Sequence, residues 1–128
     1  MPRSIRSLQT FPKLQALACH PLSIDLTAIQ EIEATHGAVD VLVNNAGYSQ
    51  AGPLKELPLS ALRLQFETNV FGPLRLSRLV LPGMRNKGGG RIITVSSLAG
   101  VVTMMRTGAY TMSKHAVECF SDVLRYAA

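Results

Sequence analysis

The chain has 128 residues, of which 47% are hydrophobic and 16% charged, with no Trp and only 5% aromatic residues. That composition is too apolar for a disordered segment and predicts one densely packed domain over 1–128 with an aliphatic core. The net charge of +5 comes from Arg and Lys scattered without interleaved aromatics, which argues against a nucleic-acid partner, and no apolar run reaches the ~18 residues that a transmembrane span requires.

Residues 4–5 and 22–24 read as weak strand fragments. Thr27 and Gln30 have capping-box spacing, Ile29 and Ile32 supply the apolar side of the helix that follows, and Gly37 ends it. Residues 39–43 form a short, nearly continuous apolar run, which predicts a buried strand of a parallel sheet leaving through Asn44, Asn45, Ala46 and Gly47. Over 58–84 apolar residues recur at helical spacing, with Pro73 and Pro82 expected to divide the segment into two helices or a kinked pair. Residues 86–90 are a glycine-rich stop. A second strand is predicted over 91–97, a loop over 100–108, and a final amphipathic helix over 109–127.

Strands alternating with helices indicate an α/β fold with a parallel sheet. In such sheets ligands bind beyond the carboxyl ends of the strands. Polar residues stand at three of those exits: Asp25, Asn44 with Asn45, and Ser96 with Ser97. Tyr110 and Lys114 lie four apart on the final helix and so share a face. An ammonium beside a phenol favours the phenolate, which suits a tyrosine exchanging a proton with an alcohol or carbonyl. Ser97, at a strand exit, is placed to bond the same oxygen. Taken alone, such a pair is a weak signal and far more often an ordinary packed Tyr beside a solvated Lys. Cys19 and Cys119 show neither a C-x-x-C pair nor a disulfide pattern, so no metal site is expected and a reducing, cytoplasmic setting is the default.

The turn Asn44-Asn45-Ala46-Gly47 after an apolar strand, Asn69 in the next helix, Ser97 after the following strand and Tyr110-Thr111-Met112-Ser113-Lys114 opening a helix occur in the order and spacing of one family. Over residues 5–125 the chain resembles the short-chain dehydrogenases/reductases. The resemblance implies a Rossmann-like, doubly wound parallel sheet in a three-layer α/β/α arrangement. It also implies NAD(P)-dependent hydride transfer on a small alcohol or ketone. Tyr110 is then similar to the family's acid/base and Lys114 to the lysine that assists it and bonds the nicotinamide ribose. Ser97 matches the serine that orients the substrate oxygen. Asn69 matches the asparagine that holds a relay water at a helix distortion. Asn45, Ala46 and Gly47 match the turn along the adenosine half of the cofactor, and Asn44 a residue that braces the sheet as much as it binds. Asp25 resembles the acid that meets the adenine amino group, with a plain turn aspartate as its rival.

The start of the chain resembles the end of the family's second strand. It holds Arg3 and Arg6 and no acid, so NADP(H) is favoured over NAD(H), with Arg6 at the matching position. The pattern departs from the family at both ends. No glycine precedes Gly37, so the T-G-x-x-x-G-x-G phosphate turn is absent, and nothing corresponds to the strands that follow the active-site helix. The expectation is therefore a partial domain lacking the first βα unit and the C-terminal strands. The alternative to an enzyme is a catalytically inactive fragment acting as an interaction module. In either case the 58–84 and 109–127 helices resemble those through which family members pair, so a homo-oligomer through them is expected.

Overall fold

A computed structural model describes residues 26–127. The strand fragments expected at 4–5 and 22–24, together with Arg3, Arg6, Cys19 and Asp25, lie outside the described residues. Helix α1 is Leu26–His36. It is already helical at Leu26, so Thr27 sits exposed within the first turn rather than at the cap. Gly37 ends it as the sequence predicts. At φ +81° this residue is left-handed, and its N–H donates to the Glu33 carbonyl at 3.0 Å, a conformation glycine adopts without a Cβ penalty.

Strand β1 is Val41–Asn44 and strand β2 is Arg91–Thr94, each shorter than the apolar run that predicts it. They pair in parallel, with Val41 opposite Arg91 and Asn44 opposite Thr94. One further ladder bond runs from the Val95 N–H to the Asn44 carbonyl at 2.9 Å. An apolar run reports burial, whereas a strand ends where its partner does; Ser97 is still extended, at φ −162° and ψ 161°, beyond the last paired residue of β1. Period-2 alternation divides the two faces of the pair. Leu42 and Ile92 join Ile29, Val80 and Met84 in the core. Val41, Val43, Ile93 and Val95 are each between 42 and 55% exposed. Among the described residues the layered arrangement is therefore represented by the sheet and a helical layer on one face.

A parallel pair needs a crossover, and here it is one long helical segment: α2, Leu59–Phe66, a π-turn, Glu67–Phe71, and α3, Gly72–Asn86. The prolines do not divide it as expected. Pro82 lies within α3, and Pro73 occupies its first turn. The distortion is instead the π-turn just before, closed by the Gly72 N–H bonding the Glu67 carbonyl five residues back. Pro73 has no N–H for the Asn69 carbonyl, and its ring would crowd that carbonyl in a regular helix. Widening the turn by one residue relieves the clash, so the segment continues instead of breaking. Beyond β2, Ser97 Oγ accepts from the Ala99 N–H at 3.2 Å and opens a 3₁₀ turn, Leu98–Gly100, which packs on the last helix, α4, Gly108–Ala127. No helix of the described residues is long and apolar enough to cross a membrane.

Candidate active site

The side chains singled out by spacing meet where β1 and β2 end against the first half of α4. Tyr110 and Lys114 stand one turn apart, with the ammonium 5.8 Å from the Tyr110 ring centroid. Lys114 is 7% exposed. Its Nζ donates to the Val95 carbonyl at 2.8 Å, and none of the ion pairs among the described residues involves it. An ammonium has three N–H donors, so this one keeps donors for further acceptors in a place largely shielded from water.

Asn69 lies in the π-turn and is 2% exposed. Its side chain is fully committed. Nδ2 donates to the Tyr48 carbonyl at 2.9 Å and to Ser113 Oγ at 3.0 Å, and Oδ1 accepts from the Tyr48 N–H at 3.1 Å. Gly47 lies against the same cluster: a Cβ there would stand 3.3 Å from Asn69 Oδ1 and 3.9 Å from Lys114 Nζ. Glycine thus leaves a backbone surface beside the ammonium that any other residue would narrow. Asn45 and Ala46 are exposed on the same turn, and Ser97 is half-buried. The Ser97 hydroxyl accepts from Ala99 and still has its own proton to donate. The structure therefore brings Gly47, Asn69, Tyr110 and Lys114 together, places Ser97 on the turn that packs on α4, and does not describe Asp25 or Arg6.

Asn44 is occupied elsewhere. Its Nδ2 donates to Ser77 Oγ at 3.0 Å, and the Ser77 hydroxyl donates to the Pro73 carbonyl at 2.8 Å, so this buried pair ties β1 to α3. Ser77→Ala strands the Asn44 amide and is expected to destabilise the fold by about 1–3 kcal/mol. Chemical denaturation measures this, and an unchanged midpoint would show that the brace contributes nothing.

Two residues of the cluster are not singled out by the sequence reading. Gln65, completely buried, donates through Nε2 to the Tyr48 carbonyl at 2.8 Å. Ser113, also completely buried, donates to the Tyr110 carbonyl at 2.7 Å. The available signal is weak: Gln65 stands one turn before Asn69 on the same helical segment, at i,i+4 spacing. A cavity of 510 Å³ lies apart from the cluster, among residues such as Met84, Ile92, Glu118 and Leu124, and Tyr110, Lys114, Asn69 and Gly47 do not line it.

Comparison with known proteins bears on the family and the fold. The family model for short chain dehydrogenases matches residues 20–127. The chain is 40% identical over 112 residues to an uncharacterized oxidoreductase of Bacillus subtilis, covering 83% of this chain and 40% of that protein. It is 42% identical over 100 residues to human retinol dehydrogenase 8, covering 78% of this chain and 32% of that protein. A short-chain dehydrogenase structure from Streptomyces avermitilis matches with a TM-score of 0.85 at 35% identity, over 96% of this chain and 48% of its own. A gluconate 5-dehydrogenase from Burkholderia cenocepacia, solved in complex with NADP and tartrate, matches with a TM-score of 0.71 at 30% identity, over 74% of this chain and 37% of its own. The chain thus spans less than half the length of each of these proteins. A family model matched across every described residue, and a Rossmann-type α/β arrangement shared with solved relatives, place this chain in the short-chain dehydrogenases, a family of oxidoreductases.

Proposed function

We propose that this chain carries the reacting face of an NAD(P)-dependent oxidoreductase that interconverts a small alcohol and its carbonyl compound, with Tyr110 as acid/base. The observation that supports the reading is the convergence of Tyr110, a buried Lys114 outside any ion pair among the described residues and Asn69 in a π-turn at the carboxyl ends of the strands. The residues present suit a dinucleotide: Gly47 leaves open backbone beside an ammonium with donors to spare. Retinol and gluconate, for which two of the similar proteins are named, are both alcohols.

A bound nicotinamide supplies hydride in reduction and accepts it in oxidation. In the reducing direction Tyr110 gives its phenolic proton to the carbonyl oxygen, and the Ser97 hydroxyl donates a hydrogen bond to that oxygen as charge develops there. Lys114, whose ammonium stands 5.8 Å from the Tyr110 ring, bonds the ribose in this reading. Lys114 would return a proton to the phenolate through a relay water held at the Asn69 helix distortion, the water being the source of the proton that Lys114 gives up. Asn45, Ala46 and Gly47 line the adenosine half, and Asp25 meets the adenine. A reducing, cytoplasmic setting completes this reading, on the ground that the sequence holds only two cysteines and no C-x-x-C pair.

NADP(H) is the preferred cofactor in this reading, because Arg6, flanked by Arg3, would meet the 2′-phosphate where an acid would repel it. Fluorescence titration is expected to give NADPH an advantage over NADH of about tenfold or more, most of it lost in Arg6→Ala. Equal affinities would remove the preference, and binding of neither nucleotide would remove the functional reading.

An interaction role is favoured by a separate observation. Leu59, Leu64, Phe71, Met112, Val123 and Tyr126, on the helices of 59–86 and 108–127, are each 46–83% exposed. Pairing of two copies through these helices would cover them. Sedimentation velocity is expected to show a dimer at micromolar concentration; a monodisperse monomer would sink this reading.

A further inference from the structure

The backbone of Tyr48 is held on both sides by side chains from two successive turns of one helical segment. Its carbonyl accepts from Gln65 Nε2 at 2.8 Å and from Asn69 Nδ2 at 2.9 Å, and its N–H donates to Asn69 Oδ1 at 3.1 Å. The Asn69 amide also reaches toward α4, where Ser113 Oγ accepts at 3.0 Å and passes its own proton into a bond with the Tyr110 carbonyl at 2.7 Å. Gln65, Asn69 and Ser113 are 0, 2 and 0% exposed. A continuous buried network therefore runs from the turn after β1, through the π-turn, to the backbone of Tyr110.

We propose that Gln65 and Ser113 are positioning residues, which act through the Tyr48 backbone and Asn69 to fix the 45–48 turn against the Tyr110–Lys114 face. The proposal rests on the reading of that face as the reacting one. Packing does not account for Gln65. Its Oε1 is buried with no hydrogen-bond partner among the described residues, and a buried, unpaired amide oxygen is costly compared with an apolar side chain of similar size. What an apolar side chain could not supply is the bond to Tyr48. A carbonyl oxygen has two lone pairs, and Gln65 fills the one that Asn69 leaves. Ser113 has the complementary part. Without its hydroxyl one Asn69 proton is stranded in the interior, and the π-turn loses its link to α4. Gly47, beside Lys114, is the neighbour of Tyr48, so a shift of the Tyr48 backbone moves the backbone surface on which a dinucleotide would lie.

The test is amide hydrogen exchange at Tyr48 in the full chain, read by NMR, with thermal unfolding and NADPH titration on the same samples. Gln65→Met keeps the buried volume and removes both the bond and the unpaired oxygen. It is expected to speed Tyr48 exchange about tenfold or more while the unfolding midpoint stays level or rises. Ser113→Ala is expected to speed Tyr48 exchange similarly without loosening the far half of α4, and Ser113→Thr, which keeps the hydroxyl, to exchange like the parent. NADPH affinity should weaken in Gln65→Met and Ser113→Ala alike. The proposal is overturned if Tyr48 protection is unchanged in both. It is equally overturned if exchange rises throughout the chain, or if both variants fail to fold, since either marks a merely structural role. A parent chain that binds no nicotinamide leaves the exchange result standing and counts against the proposed function instead.

Discussion

Tyr110→Phe is expected to lower turnover by about 10²–10⁴-fold in any preparation that reduces a carbonyl substrate with a nicotinamide. Nucleotide affinity should stay nearly intact. The substitution removes one O–H and little else. The ring beside Lys114 remains, and the Tyr110 backbone carbonyl still accepts from Ser113. The α4 framework is therefore retained while the proton donor is lost. Steady-state kinetics with a parallel fluorescence titration separate the two effects, and activity within a few-fold of the parent would exclude Tyr110 as acid/base.

Lys114→Met should separate stability from function more sharply. At 7% exposure, with one bond to the Val95 carbonyl and none of the recorded ion pairs, the ammonium is a buried charge that the fold does not neutralise among its described residues. A methionine fills a similar volume without the desolvation penalty. The unfolding midpoint is therefore expected to stay level or rise by about a few degrees, although the Val95 carbonyl loses a partner. Turnover and nucleotide affinity are expected to fall together, since the same group faces both phenol and ribose in the proposed chemistry. Such opposition between stability and activity is common where a site stores unfavourable burial. A large fall in midpoint with affinity preserved would show Lys114 to be a structural residue.

The residues of this site were largely legible because their types are unusual for their positions. Tyr110 and Lys114 share a helix face at fixed spacing, and polar residues end apolar strands at Asn44 and Ser97. The proposed roles come from the resemblance, because spacing alone favoured an ordinary packed Tyr and a solvated Lys. Local geometry was less legible. The π-turn at Glu67–Phe71 arises from a steric conflict one turn downstream, at Pro73, so the position of the proline did not mark the position of the distortion. The sequence overstates the burial of both strands because apolar residues on the Val41 and Ile93 face look like core, although that face is open among the described residues. Gln65 and Ser113 were passed over for a related reason. Glutamine and serine on a helix usually mark its solvated side, and only three-dimensional placement shows these two enclosed.

The parallel register sets the order in which the protein can assemble. Val41 meets Arg91 across the entire helical segment that joins the strands, so pairing must close a long loop before it yields any contact, whereas the turns of each helix form between near neighbours. Tyr110 and Lys114 share one helix and acquire their spacing early. The Val95 carbonyl that receives Lys114 comes into place only once β2 has found β1, because Val95 is itself held by the Asn44 carbonyl. Chains halted before that step would have nearly all of their helical far-ultraviolet signal and none of the convergence at the strand ends, so circular dichroism would count as folded a population in which Lys114 is not yet anchored on the Val95 carbonyl.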